Sequence, residues 1–320
     1  MAICTITADE FAEFIAFINA GMRPDGAPTR AEEDFPVILG RENLAGLWGL
    51  RDREGFAAGL SCLVRPFTTD HGTVLVAGIG SVVTRADRRG EGLSGRIQQV
   101  VLDHLREAGV HLAVLWTDRP EIYARRGFAA AGYEYHVDVA AADLPSGAPA
   151  GAFHAADAGA VAAIYRRHPL RTMREASDDA ALYAMPGTRG LVSRRDGAVQ
   201  AYVFCGKGED FPGYVAEWGG PVEAVLPLLA AARAEGLASR VLAPAGAEPL
   251  VAALLDRGAG AAAVPCGLWS VLSAEGLGRA TGRTPQGDPG LAASWLGAVG
   301  EDGTVTPGPL RVAVWGFDSV

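Results

Sequence analysis

The chain has 320 residues, 49% hydrophobic and 20% charged, which is enough for two domains that each bury a core and excludes a disordered tail protein. With 28 Lys plus Arg against 37 Asp plus Glu the formal net charge is -9, so there is no broad electrostatic footprint for phosphates and no nucleic-acid partner is expected. Cys4, Cys62, Cys205 and Cys266 stand far apart with no CxxC, which argues against a zinc knuckle or disulfide scaffold and fits a reducing cytoplasm.

The N-terminal residues, MAICTITADEF, contain no basic stretch followed by an apolar one, and no segment approaches the ~20 apolar residues of a membrane span. A cytoplasmic protein without a membrane partner is expected. Thr7-Ala8-Asp9-Glu10 has the form of a capping box, and Phe11, Phe14, Ile15 and Ile18 then mark an amphipathic helix ending near Gly21. After a polar loop with Glu32, Glu33 and Asp34, the segments 45–50 and 55–64 read as a hairpin joined by Arg51-Asp52-Arg53-Glu54. Residues 73–84 suggest a long central strand in which Gly78 and Gly80 mark a bulge or a close backbone approach. A helix over 93–108 presents Ile97, Val100, Val101, Leu102 and Leu105 to the core, followed by a strand over 111–116 and a helix over 120–126.

Residues 140–152, rich in Ala, Gly and Pro, break the periodic pattern and place a domain boundary there. The order of elements then repeats. A helix over 155–167 precedes the strands 190–193 and 199–206, joined by Asp196-Gly197, and then strand 214–218, helix 221–235, strand 240–243 and helix 249–256. Residues 276–309 read as loop, and 310–317 as an apolar closing strand. The reading is an α/β chain in tandem units: 1–145, 146–275, and a C-terminal segment 276–320 folding back toward the active-site cleft.

Chemistry concentrates at Arg88-Arg89-Gly90-Glu91-Gly92-Leu93-Ser94, between a strand and a helix. Glycines there let several N–H groups converge at a helix N-terminus, an arrangement that favours a phosphate. Gly90 to Gly95 also spells GxGxxG, with Asp118 near the place of a ribose-binding acid, so an NAD-binding protein is the competing reading. Against it, Arg85-Ala86-Asp87-Arg88-Arg89 separates the strand from the first glycine, and a hairpin precedes the strand. His104 and His111 are too far apart to form a metal pair on one helical face, so no metal is expected.

The segment Arg89–Ser94 resembles the Arg/Gln-x-x-Gly-x-Gly/Ala pattern of the GNAT superfamily of acyl-CoA-dependent N-acyltransferases, with Ser94 in place of the usual Gly or Ala. Tyr123-Ala124-Arg125-Arg126-Gly127-Phe128 is similar to that family's Tyr-x-x-x-Gly-Phe segment. The tandem arrangement resembles the enhanced-intracellular-survival type, without its sterol-carrier-like third domain. The resemblance implies two tandem α+β GNAT-like units with mixed central sheets, the first active and the second degenerate. It implies that Val82, Val83 and Thr84 bind pantetheine, that Arg88, Arg89, Gly90, Glu91, Gly92, Leu93 and Ser94 hold the pyrophosphate of acetyl-CoA, and that Tyr123 acts as the acid. The implied reaction is direct acetyl transfer to a primary amine of a small molecule. Trp218-Gly219-Gly220-Pro221, at the matching place of the second unit, has no basic residue and is not expected to bind CoA.

A base is needed to take a proton from the acceptor ammonium. The candidates are Glu33 within its acidic cluster and the α-carboxylate of Val320, whose segment Trp315–Val320 is apolar for a chain end and so reads as docked. A non-catalytic acyl-CoA-binding regulatory module is the alternative from another class. The acceptor, the acyl length and the oligomeric state are not legible.

Overall fold

The computed structural model describes residues 2–23, 25–145 and 150–320; the expected boundary after residue 145 falls at the segment 146–149, outside the described residues. Local signals set the first elements. Glu10 Oε2 accepts the backbone N–H and hydroxyl of Thr7 at 2.9 and 3.1 Å, and the helix Phe11–Met22 that follows buries Phe14, Ile15 and Ile18. The acidic cluster is itself a short helix, Ala31–Asp34, where a loop was expected. Strands Leu47–Asp52, Gly55–Thr69 and Gly72–Thr84 form an antiparallel meander. Its register slips between Gly59 and Ser61, opposite Ser81 with φ +52°, which is the bulge that the glycines signalled. Helix Leu93–Glu107 lays Ile97, Val101, Leu102 and Leu105 on this sheet, each such burial contributing about 1.5–3 kcal/mol, whereas Val100, expected on the same side, lies one residue off the stripe and is exposed. Strand Leu112–Leu115 then pairs parallel to Gly72–Thr84. The helix expected over 120–126 is limited to Glu121–Ala124.

Two mixed sheets result, and each takes a strand from the other half of the chain. In the first sheet Leu268–Val271 lies between Leu112–Leu115 and Ala129–Ala130. In the second, Glu134–Asp138 lies between Arg240–Pro244 and Gly260–Val264. The rest of the second sheet runs through Asp210–Gly219, Ala198–Lys207, Arg189–Arg195 and Gly151–Ala152. Its parallel pair, Asp210–Gly219 with Arg240–Pro244, repeats the parallel pair of the first. Helix Val222–Ala234 follows that strand as Leu93–Glu107 follows Gly72–Thr84.

Two expectations near the C-terminus are corrected. The stretch read as loop contains helix Ala274–Thr281, capped by Ser273 Oγ on the Gly276 N–H at 3.0 Å, a short helix Ala293–Leu296, and the strand pair Gly297–Val299 with Val305–Pro307. The stretch read as a closing strand pairs with no sheet and ends in a 3-10 turn, Gly316–Asp318. It runs between two cores. Leu310, Val312 and Val314 pack with Trp269 and Trp295, while Trp315 and Phe317 join the apolar cluster of the second sheet. Both faces are covered by side chains, which is why its alternation mimics a strand.

Candidate functional site

Strand Gly72–Thr84 pairs with Leu112–Leu115 only as far as Gly78 opposite Val114. Among the described residues, the same edge of residues 79–84, including Val82, Val83 and Thr84, therefore has no strand partner. Past the strand, Gly90 and Gly92 have φ +85° and +72°, and a Cβ at either would meet nothing within 4 Å. Gly92 is the N-cap of helix Leu93–Glu107, so Leu93 and Ser94 begin a helix whose N-terminus faces open space. Glu91 holds Arg88 through two bonds of 2.7 Å, and Asp52 holds it from the other side. The backbone N–H of Arg89 donates to the Ala86 carbonyl at 3.5 Å, while its side chain makes no hydrogen bond or ion pair among the described residues.

The matching turn of the second half is closed. A Cβ at Gly219 would lie 2.6 Å from Tyr202 Cε1, and one at Gly220 2.5 Å from the Gln200 carbonyl oxygen. No comparable space for a phosphate exists there.

Tyr123 stands in helix Glu121–Ala124, edge-on to Phe128 at 6.2 Å and packed on the cluster under helix Leu93–Glu107. Burial pushes its phenol above the usual range, so the hydroxyl is a proton donor at neutral pH. Nearby is a residue that the motifs did not single out. The Arg126 guanidinium fills the space that a Cβ at Gly95 would occupy, and its Nη1 donates to the Ile122 carbonyl at 3.0 Å. The third glycine of the GxGxxG string thus makes room for a cation beside the loop.

Strand alternation divides the two faces of the first sheet. Cys62, Ala77, Ile79 and Ala113 face the helix, while Leu63, Gly78 and Val114 face a cavity of about 590 Å³, including its open mouth. The segment 34–38, side chains of the second half and the tail 317–320 complete its wall. Buried charges from the second half fix that tail. Arg174, 2% exposed, donates to Glu217 at 2.5 Å and to the two oxygens of Asp318 at 2.7 and 3.0 Å, and Tyr165 adds a bond to Asp318 at 2.8 Å. Lys207 donates to the Ser319 carbonyl and, at 2.8 Å, to its hydroxyl, with the ammonium 4.8 Å from the centre of the Phe35 ring. Burial pulls this lysine down to about 8, with Asp210, Asp318 and Asp34 opposing the shift.

The tail ends against the central strand. A Cβ on Gly78 would lie 2.8 Å from Val320 Cγ2, and one on Gly80 would lie 3.2 Å from the Val320 carbonyl carbon. The Ser61 hydroxyl, buried and without a partner among the described residues, would be 3.6 Å from the same Gly80 Cβ. Glu33 is placed elsewhere. It is exposed, its carboxylate accepts the Arg30 N–H at 2.8 Å, and it does not line the cavity. Glu32 is taken by Asn19 at 2.6 Å, and Asp34, which does line the cavity, is buried on Arg23 and Thr29. Glu217 and Trp218 are both interior, the indole N–H donating to the Leu242 carbonyl at 3.1 Å. Arg174 and Lys207 carry no local sequence signal beyond Lys207 being the only lysine in the chain.

Two mixed sheets in tandem, the first with a bulged central strand, one edge without a strand partner and an open glycine loop at a helix N-terminus, define an N-acyltransferase-like fold of two units of which only the first keeps the open loop. Residues 2–131, less than half of the chain, match the family described as acetyltransferase (GNAT) domain, and the fold is that of two GNAT-like units. A GCN5-related N-acetyltransferase from Anabaena variabilis superposes with TM-score 0.66 at 14% identity, covering 87% of this chain and 74% of that one. Another from Kribbella flavida gives 0.64 at 18%, covering 87% and 73%. Eis1 from Mycobacterium abscessus gives 0.62 at 16%, covering 88% and 76%. No curated protein matches the chain in sequence. Among the described residues no group of His, Cys, Asp and Glu is placed to hold a metal ion, and no helix is long and apolar enough to cross a membrane.

Proposed function

We propose that the chain is an acetyl-CoA-dependent N-acetyltransferase that passes the acetyl group directly to a primary amine of a small molecule. The observation that carries this reading is the approach of Val320 to Gly78 and Gly80, on the strand whose next residues offer the free edge. Acetyl-CoA supplies an acyl group activated as a thioester. Val82, Val83 and Thr84 pair with its pantetheine arm, one of their N–H groups polarising the thioester carbonyl. The loop Arg88–Ser94 receives the pyrophosphate at the helix N-terminus, with Arg89 and Arg126 adding positive charge.

In a chain that ends at Val320, its α-carboxylate takes a proton from the acceptor ammonium, and the freed nitrogen bonds to the acyl carbon as the C–S bond breaks. Tyr123 gives its phenolic proton to the departing thiolate and is restored by the second proton leaving the nitrogen. A covalent route through Cys62 is disfavoured, because burial pushes that thiol up to about 12.

The test compares the thermal midpoint with acetyl-CoA, CoA and NAD, and then the kinetics of Tyr123→Phe. Stabilisation by the CoA species with loss of roughly a hundredfold in kcat and unchanged CoA affinity is the expected outcome. Stabilisation by NAD alone would overturn the reading. Equal loss of turnover and CoA affinity would make Tyr123 structural.

A further inference from the structure

We infer that the acceptor is a monoamine carried on an apolar body, of the arylalkyl or branched-alkyl kind, and not a polyamine or an aminoglycoside. The inference rests on the reading above, in which the Val320 carboxylate in the wall of this cavity takes the proton of the acceptor ammonium.

The charged side chains of the wall, Lys207 apart, are ion-paired in place. Asp178 accepts two bonds of 3.0 Å from Arg65. Asp318 is held by Arg174 and Tyr165, and Asp34 by Arg23 and Thr29 through one oxygen, its other oxygen being buried beside Gly208 without a hydrogen bond among the described residues. Lys207 is turned onto Ser319. A second or third ammonium entering from water would meet carboxylates that already have partners, so it would lose hydration without gaining an ion pair.

Apart from that buried Asp34 oxygen, what remains for a ligand is apolar surface and two polar points. Phe35, Leu63, Phe67, Leu182, Val314 and Phe317 line the cavity. The carboxylate of Val320, in a chain ending there, takes part in no ion pair among the described residues. Thr172 lines the wall beside Phe67, and its buried hydroxyl has no partner among the described residues. That set accommodates one ammonium, one hydrophobic body and one further hydrogen-bonding group. A polycation needs several unpaired acids, whereas each side-chain carboxylate of this wall is already ion-paired with an arginine.

The test measures thiol release from acetyl-CoA by the full chain with phenethylamine, spermidine and kanamycin, alongside calorimetric binding of each amine to the CoA complex. The expected result is a kcat/KM at least about tenfold higher for phenethylamine than for either polycation. Preference for spermidine or kanamycin, or calorimetric binding of those two alone, overturns the inference while leaving acetyl transfer intact. Absence of both CoA binding and turnover overturns the underlying reading as well, so the two failures are distinguishable. A second arm uses Arg65→Met, which releases Asp178 into the cavity. Turnover of the diamine cadaverine should then rise several-fold relative to that of phenethylamine, both compared as kcat/KM, and an unchanged ratio in a folded variant refutes the charge argument. If that variant does not fold, the wild-type comparison decides.

Discussion

Arg174→Met should be among the most damaging single substitutions in the chain. The side chain is 2% exposed, and its neighbours Glu217 and Asp318 are 0% and 6% exposed. Bonds of 2.5, 2.7 and 3.0 Å tie the guanidinium to those two carboxylates, and its Cζ lies 3.8 Å from the centre of the Tyr165 ring. Methionine fills much of the volume but leaves two carboxylates without their cation, and breaking a buried pair in this way costs about 3–5 kcal/mol. Urea unfolding followed by tryptophan fluorescence measures the loss, since Trp218 and Trp315 are both buried. Acid should relieve it. Burial already holds the Glu217 carboxyl above its ordinary range, with Arg174 opposing. Without Arg174 its folded pKa rises further above the unfolded one, so the folded state binds more protons and the variant recovers relative stability as pH falls toward that raised value. Adding Asp318→Asn and Glu217→Gln should recover much of the loss at neutral pH. A single-variant cost below about 1 kcal/mol, or a triple variant no better than the single one, would refute the account.

Other outcomes follow from the same geometry. Gly78→Ala places a methyl 2.8 Å from Val320 Cγ2, so kcat should fall by roughly tenfold to a hundredfold while stabilisation by acetyl-CoA is retained; an unchanged kcat would separate the tail from catalysis. His168, packed against Trp218 and Trp315, is pulled by burial from 6.5 down to about 4. Between those values the unfolded chain binds a proton that the native state refuses, so stability should fall as pH drops from about 6.5 to about 4, by roughly 3 kcal/mol, and level off below. His168→Gln should flatten that part of the urea-midpoint profile. Lys207 is the only lysine and is 1% exposed, so an amine-reactive reagent should acylate it at least about a hundredfold more slowly in the native protein than in urea, as read by peptide mass. Equal rates would show that the tail does not stay docked on it.

Legibility followed the range of the interaction. The Thr7–Glu10 cap, the apolar stripe of helix Leu93–Glu107 and the Asp196-Gly197 turn, with φ +53° and +81°, are fixed by neighbours in sequence and were readable. Helix Ala274–Thr281 was not, because Gly276 and Gly278 lower its helical propensity. A Cβ at Gly276 would lie 2.7 Å from His111 Cδ2, so that glycine serves a close approach to another element and not a loop. The exchange of Glu134–Asp138 and Leu268–Val271 between sheets was hidden for a related reason. Alternation identifies a strand and its buried face, but both cores are apolar, and nothing in the strand's own residues names its partner.

The candidate site divides along the same line. In the proposed reading the donor side, from Val82 to Ser94, is one continuous stretch, and the glycines that shape it are visible as a string. The acceptor side is assembled from the central strand, the segment after helix Ala31–Asp34, the second half and the chain end, so no motif records it. The three acids before Phe35 drew attention because they are adjacent, yet their carboxylates are occupied by Asn19, Arg30, Arg23 and Thr29. The charges that matter for the cavity, Arg174 and Lys207, lie in the half that lacks an open phosphate loop. In the proposed reading this gives the second half a definite task. It binds no CoA of its own, but it anchors Asp318 and Ser319 and so holds Val320 at Gly78 and Gly80. The active unit then depends on its partner through the last few residues of the chain. Catalysis should therefore be lost under conditions that undock the tail before either sheet unfolds.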